Sequence, residues 1–251
     1  MAALVLGLVA VTIAVAAIWL APRFAQRRVV FATAPDRPLP FGYRMSWIAI
    51  KTSDTDAVIR TLDLGNPVAA NWNSGIGTIY DNNLSDAYVF VTPPVKGWTF
   101  VCGLPLPHPI GAAFTDKLTP LLAELSKEFG HVQYFAAFPI IDFFGWVRMH
   151  QGRMIRGFII GDQGVIWDKG RLTPEEKALG LKFYDLRGIR GRKGDAGGAI
   201  VLYPTEDQVL RLAASWGLDP LLIDKTNIAP ALGWIASAPA AWRSERIKRA
   251  A

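Results

Sequence analysis

The chain has 251 residues, of which 51% are hydrophobic, and it contains 9 Trp and 13 Phe. This composition excludes an intrinsically disordered chain, which has too little apolar surface to offset the entropy of ordering. Cys102 is the only cysteine, which excludes an intrachain disulfide framework, and the net charge of +6 makes the chain basic. A basic balance favours anionic partners, but it does not choose among proteins, membranes and nucleic acids.

The first element in the chain is an uncharged apolar segment that runs from Ala2 to Pro22. A helix of about 1.5 Å rise per residue and this length spans a hydrocarbon core of roughly 30 Å. The sequence therefore predicts a single transmembrane anchor over residues 1–22, with the lipid bilayer as partner of residues 2–22. A cleaved signal peptide with its cleavage site at residues 14–16 is the alternative, but no basic region precedes the run, which continues past that site.

Residues 23–40 form a basic, proline-rich linker. Arginines follow the apolar segment, whereas only the α-amino group precedes it, so the positive-inside rule predicts a cytoplasmic domain and a single-pass membrane protein. If the charge rule fails, the domain is periplasmic or exterior. The prolines favour an extended chain up to the start of the domain. The arginines are Arg23, Arg27, Arg28 and Arg37, and the prolines are Pro35, Pro38 and Pro40.

Residues 41–226 alternate strand and helix patterns, which predicts an α+β globular domain with a mixed or antiparallel sheet and several short helices. The first half predicts a strand over 43–51, a helix over 57–62, a turn-rich stretch over 71–77, and a hairpin of strands 88–91 and 98–101. A helix with one apolar face follows at 121–129.

The second half of the domain predicts a meander of strands over 132–138, 141–149 and 153–160, with a fourth short strand at 165–167. Thr173 and Thr205 each precede an acid or amide at capping-box spacing and therefore predict two helix starts. Between these helices, residues 186–198 are predicted to form a glycine-rich loop, and residues 199–203 are predicted to form a strand. Residues 227–251 form an apolar and then basic C-terminal tail.

Candidate catalytic groups are few. The three histidines and Cys102 lie apart in the sequence, so no zinc-binding spacing is present, and we predict neither a metal nor a cofactor. Cys102 ends an apolar strand, where a buried thiol without a chemical role is the common case. Loop carboxylates are the remaining candidates for a hydrolase or transferase, against the simpler interpretation of solvated turn acids. They are Asp142, Asp162 and Asp168.

Two regions suggest binding. The loop at 186–198 presents cations between glycines, which suits phosphate or an acidic partner, although it fits no nucleotide-binding motif. In the C-terminal tail, tryptophans either pack on the domain or touch the bilayer interface. The candidate binding residues are Arg187, Arg190, Arg192, Lys193, Trp234 and Trp242.

A clear fold pattern without a catalytic constellation favours a membrane-anchored, non-catalytic interaction module, such as an accessory subunit or an inhibitor or immunity-like protein. Its expected partner is another protein, and nucleic acid is disfavoured. Two alternatives remain open: a membrane-bound hydrolase or transferase using the loop carboxylates, and a basic protein that binds membrane surfaces or nucleic acid.

Overall fold

A computed structural model describes residues 30–109, 116–162, 164–181 and 203–242. The strands are β1 Met45–Ile50, β2 Gly65–Ala70, β3 Tyr88–Val91, β4 Thr99–Cys102, β5 His131–Phe138, β6 Phe143–His150, β7 Arg153–Gly161, β8 Gly164–Gly170 and β9 Gly233–Ser237. The α-helices are α1 Thr55–Thr61, α2 Trp72–Tyr80, α3 Leu118–Phe129, α4 Pro174–Ala178 and α5 Glu206–Trp216. The strands form one nine-stranded sheet in the order β2-β9-β3-β4-β1-β5-β6-β7-β8. The described domain is an α+β fold, as predicted, and its strand pairs are antiparallel.

Both faces of the sheet are covered by helices. On one face, apolar side chains of α1 and α3, including Val58 and Leu122, join Ile48 of β1 in a buried cluster. On the other face, α2, α4 and α5 cover a layer of aromatic side chains. Because each strand alternates its side chains between the two layers, β1 is buried at all six of its positions. Adjacent Phe143 and Phe144 are likewise both buried.

The predicted meander is confirmed. Strands β5, β6, β7 and β8 pair consecutively in antiparallel register, and their bounds lie close to those expected from the β-formers. Both predicted capping boxes are also present: Thr173 caps α4 with Glu176, and Thr205 caps α5 with Gln208. These two patterns are local in the sequence, so no long-range contact was needed to predict them.

Helix α2 was predicted as a turn-rich stretch, and the structure differs there. The Asn71 side chain accepts a hydrogen bond from the Ser74 backbone N–H, and the Asp36 carboxylate accepts from Trp72 and Asn73. These caps satisfy N–H groups that a helix start leaves without partners. Gly75 lowers helix propensity, but it is required by packing, since an added Cβ would lie 2.3 Å from the Phe90 ring.

We expect Gly75→Ala to destabilise the domain by about 1–3 kcal/mol through overpacking, although alanine has the higher helix propensity. Gly77 is the matched control, because it lies in the same helix and no atom lies within 4 Å of its added Cβ. We expect Gly77→Ala to be neutral or to stabilise by up to about 1 kcal/mol. Urea unfolding of the full-length protein in nonionic micelles measures both, and equal effects of the two substitutions would contradict this packing.

The ends of the domain also differ from the predicted division. Strand β9 lies between β2 and β3, so the sheet takes a strand from the stretch that the sequence assigned to the C-terminal tail. Part of the predicted linker is also bound to the domain, because the Ala32 and Ala34 carbonyls accept hydrogen bonds from Asn71. Short apolar runs such as 233–237 are ambiguous in the sequence because their burial depends on a distant pairing.

The predicted anchor over residues 1–22, the loop at 186–198 and most of the strand at 199–203 lie outside the described residues. Within the ranges that are described, no helix is both long and apolar enough to cross a bilayer.

Candidate functional site

A row of basic side chains crosses one end of the sheet on the face covered by α5. Register pairs His131 of β5 with His150 of β6, and His150 with Arg153 of β7. Lys51 follows β1, and its backbone N–H donates to the His131 carbonyl, which sets it beside His131. Directly opposed residues of antiparallel strands point to the same face. Four strands therefore contribute one basic side chain each to a single line, which we call the basic row: Lys51, His131, His150 and Arg153.

Arg148 lies one step inward from the basic row, on the same face of β6 as His150. Its guanidinium carbon lies 5.6 Å from the centroid of the Trp216 ring at the end of α5, in a cation–π contact. A cation beside a helix C-terminus is also favoured by the helix dipole, which gives Arg148 a structural role. The cation–π contact does not use the N–H groups of the guanidinium as hydrogen-bond donors. No described carboxylate forms an ion pair with Arg148.

Buried side chains form a floor beneath the basic row. Trp98 meets the His131 ring edge to face at 5.6 Å, and the Lys51 ammonium lies 4.8 Å from a Trp98 ring centroid. Gln133, 1% exposed, donates from Nε2 to the Trp216 carbonyl at 3.0 Å and contacts His131 Nε2 at 3.2 Å. An amide nitrogen only donates, so His131 Nε2 accepts, and the neutral ring carries its proton on Nδ1.

The electrostatic surroundings of His131 are cationic. Burial lowers the pKa of His131 below its usual value, and the positive charges of Arg148, His150 and Lys51 lower it further. The ion pairs Arg156–Asp168, Arg156–Glu176 and Lys225–Asp224, seen among the described residues, include no member of the basic row. The positive charges of Lys51 and Arg153 in the row would therefore attract an anion.

A buried ion-pair network borders this surface. Arg156 of β7 is the register partner of Arg148, and its Nε atom bonds both Glu176 carboxylate oxygens at 2.9 and 3.0 Å. Its Nη1 atom also bonds Asp168 Oδ1 at 2.6 Å. The Trp146 indole N–H donates to Glu176 at 2.7 Å. Two carboxylates therefore pair with Arg156, and Glu176 fixes α4 on the sheet beside Arg148.

The predicted acids do not meet in one site. Asp168 is the ion-pair partner of Arg156. Asp142 and Asp162 are exposed at the meander's other end, near Tyr203, whose pKa is raised by burial first and by these two carboxylates second. Trp234 and Trp242 are partly buried against the apolar cluster, which matches the packing alternative for the tail. Arg187, Arg190, Arg192 and Lys193 lie outside the described residues.

Among the described residues, no group of three or more His, Cys, Asp or Glu side chains is placed to hold a metal ion. Cys102 is fully buried, and burial raises the pKa of its thiol. A thiol of this kind is a poor nucleophile, because the reactive form is the thiolate.

The sequence analysis missed the basic row because Lys51 and His131 are 80 positions apart and His131 and His150 are 19 apart. One signal was present. The predicted strands 132–138 and 141–149 form a hairpin, and pairing their outer ends, residue 132 with residue 149, brings His131 opposite His150. Lys51 could not be found this way, because β1 pairs with β5 across a long stretch of chain.

Comparison of the chain with protein-family models, with curated proteins and with solved structures gave no match. Function must therefore be argued from the site itself.

Proposed function

We propose that this chain is a membrane-anchored, non-catalytic interaction module that binds an acidic protein partner through the basic row. The anchor is the predicted span over residues 2–22. The observation that supports the proposal is the line of Lys51, His131, His150 and Arg153 on adjacent strands, without a described carboxylate paired to any of them.

The composition of the surface also supports a binding role. Exposed charges steer association and set specificity, and side chains that are already positioned lose less entropy on binding. Lys51, His150 and Arg153 are exposed, and the buried Trp98 ring contacts Lys51 and His131 and helps to position them. A partner that presents carboxylates or other anions at the spacing of neighbouring strands would meet complementary charge.

We expect the charge reversal Lys51→Glu/Arg153→Glu to lower recovery of the partner on the order of tenfold or more, because it replaces attraction with repulsion. The measurement is affinity purification of the tagged full-length protein from its native membranes in mild detergent, with quantitative mass spectrometry. Both residues are exposed, so the fold should tolerate the change.

The matched control is Arg60→Glu/Lys225→Glu, which reverses two exposed charges outside the basic row. A partner lost from the first variant, kept by the control and released from wild type by rising salt would support the proposal. A partner lost equally from both variants, or recovery of nucleic acid in its place, would contradict it.

A further inference from the structure

We propose that Lys51, His131 and His150 of the basic row, together with Arg148, form a subsite for a phosphoryl group carried by the acidic partner. In this subsite His131 donates from Nδ1, while Lys51, Arg148 and His150 supply positive charge. The inference rests on the proposed function, which it refines by naming the chemistry that the partner presents.

The first argument concerns the tautomer of His131. A histidine donates to an anion from whichever nitrogen carries the proton, and the bond at the other nitrogen decides which one that is. Gln133 is 1% exposed, and its amide nitrogen is fixed by the Trp216 carbonyl, which can only accept. The contact of this nitrogen with His131 Nε2 leaves Nδ1–H as the ring's donor. Gln133 is therefore a positioning residue for His131.

The second argument concerns the kind of anion. A carboxylate carries one charge and has two oxygens in one plane, whereas a phosphoryl group carries up to two charges and accepts hydrogen bonds in three directions. The subsite offers an ammonium, a guanidinium and two imidazoles from three adjacent strands or strand ends. Donors arriving from several directions match a tetrahedral oxyanion better than a planar one. The Trp216 ring restrains Arg148, so less entropy is lost when its guanidinium binds.

The third argument concerns charge balance. The groups that face His131 are Lys51 from the end of β1, Arg148 and His150 from β6, and the uncharged Trp98 ring and Gln133 amide. The three charged or titratable groups all disfavour protonation of His131. A bound dianion reverses this field. By linkage, an anion of unchanged charge that raises the pKa of His131 binds more tightly as the pH falls toward that pKa.

The test uses full-length protein in nonionic micelles, with nitrogen-15 in its histidines, and inorganic phosphate as the probe. NMR spectra report the tautomer and pKa of each ring during a phosphate titration. We expect Nδ1–H at His131 without phosphate, a saturable shift on addition, and a pKa of His131 that rises by a measurable amount. Lys51→Met and Arg148→Met should each weaken phosphate binding roughly tenfold, as expected for loss of one charge-assisted hydrogen bond.

Two further variants separate positioning from general structure. Gln133→Leu should allow the Nε2–H tautomer of His131 and weaken phosphate severalfold while the protein remains folded. Arg60→Met, on the helix α1 that covers the other face, should change nothing. A His131 resonance that does not shift when phosphate is added would overturn the subsite. So would a loss of phosphate binding in Arg60→Met equal to that in Lys51→Met or Arg148→Met.

A second arm identifies the source of the phosphoryl group. An acidic peptide containing phosphoserine should bind more tightly than the same peptide with serine, and more tightly than vesicles of phosphatidylcholine with phosphatidic acid. Tighter binding to the vesicles than to the phosphopeptide would contradict the inference that a protein carries the phosphoryl group. The two proposals fail differently: partner capture that depends on Lys51 without phosphate binding would refute only the subsite. Phosphate binding without a captured protein would refute the proposed function.

Discussion

Arg156→Met should destabilise the domain by about 3–5 kcal/mol, which is the usual effect of leaving a buried charge without its partner. Glu176 is fully buried, and Arg156 is its ion-pair partner. Removing the guanidinium leaves a carboxylate with the Trp146 indole and the Thr173 backbone N–H as hydrogen-bond donors. Urea unfolding of the full-length protein, followed by tryptophan fluorescence, measures the loss.

Asp168→Asn is the matched control for this network. The Asp168 side chain is 36% exposed, and Arg156 keeps both Glu176 oxygens when the Asp168 charge is removed. We expect a loss of about 1 kcal/mol, as for one hydrogen bond. If Asp168→Asn costs as much as Arg156→Met, Glu176 is not the partner that decides the stability of the network.

A double variant tests the origin of the loss. In Arg156→Met/Glu176→Met both charges are absent, and apolar replacements of buried ion pairs are often neutral or stabilising. Stability should therefore recover well above that of Arg156→Met alone. A double variant weaker than the single one would show that packing, not charge, accounts for the loss.

The sequence predicted those parts of the fold whose causes are local. The meander follows from β-formers between turns, and the capping boxes at Thr173 and Thr205 place helix starts to the residue. Helix α2 was missed because its two glycines oppose a helix in isolation. Contacts with Asp36 and Phe90, which are distant in the sequence, override that preference.

The same division explains the candidate site. Asp142, Asp162 and Asp168 were chosen because loop acids are common catalytic residues. In the structure Asp142 and Asp162 lie near Tyr203, whereas Asp168 is paired with Arg156 elsewhere in the sheet. The basic row depends on register between β1, β5, β6 and β7, and register comes from the packing of both sheet faces. Residue type at single positions does not contain that information. A predicted hairpin becomes informative about sites only when its two strands are aligned residue by residue.

A final expectation concerns His108, a partly buried histidine on the opposite face. His108 Nδ1 lies 2.8 Å from the Tyr134 hydroxyl, and its ring packs against Phe138 and Phe143. Burial lowers the pKa of His108 to about 4, and a hydrogen bond to the Leu104 backbone offsets only part of this effect. His108 is therefore neutral in the folded protein over a pH range in which it is protonated in the unfolded chain.

The sign of the pH dependence follows directly. Between the ordinary histidine pKa of 6.5 and about 4, the unfolded chain binds a proton at His108 that the folded protein does not. Stability from this group is complete above the upper value, falls by about 1.4 kcal/mol per pH unit as the pH drops through the window, and levels off below it. The total loss is on the order of 3 kcal/mol.

His108→Gln should flatten this dependence, because glutamine does not titrate in the window and can still accept a hydrogen bond from the Tyr134 hydroxyl. His150→Gln is the control, since that ring is exposed and lies at the other end of the sheet. Unfolding free energies of the full-length protein across the window provide the measurement. An unchanged slope in His108→Gln would mean that acid sensitivity arises at other groups. A flattened slope would identify the contact between His108 and Tyr134 as one acid-labile point of the folded state, distinct from His131 in the basic row, whose pKa is also lowered.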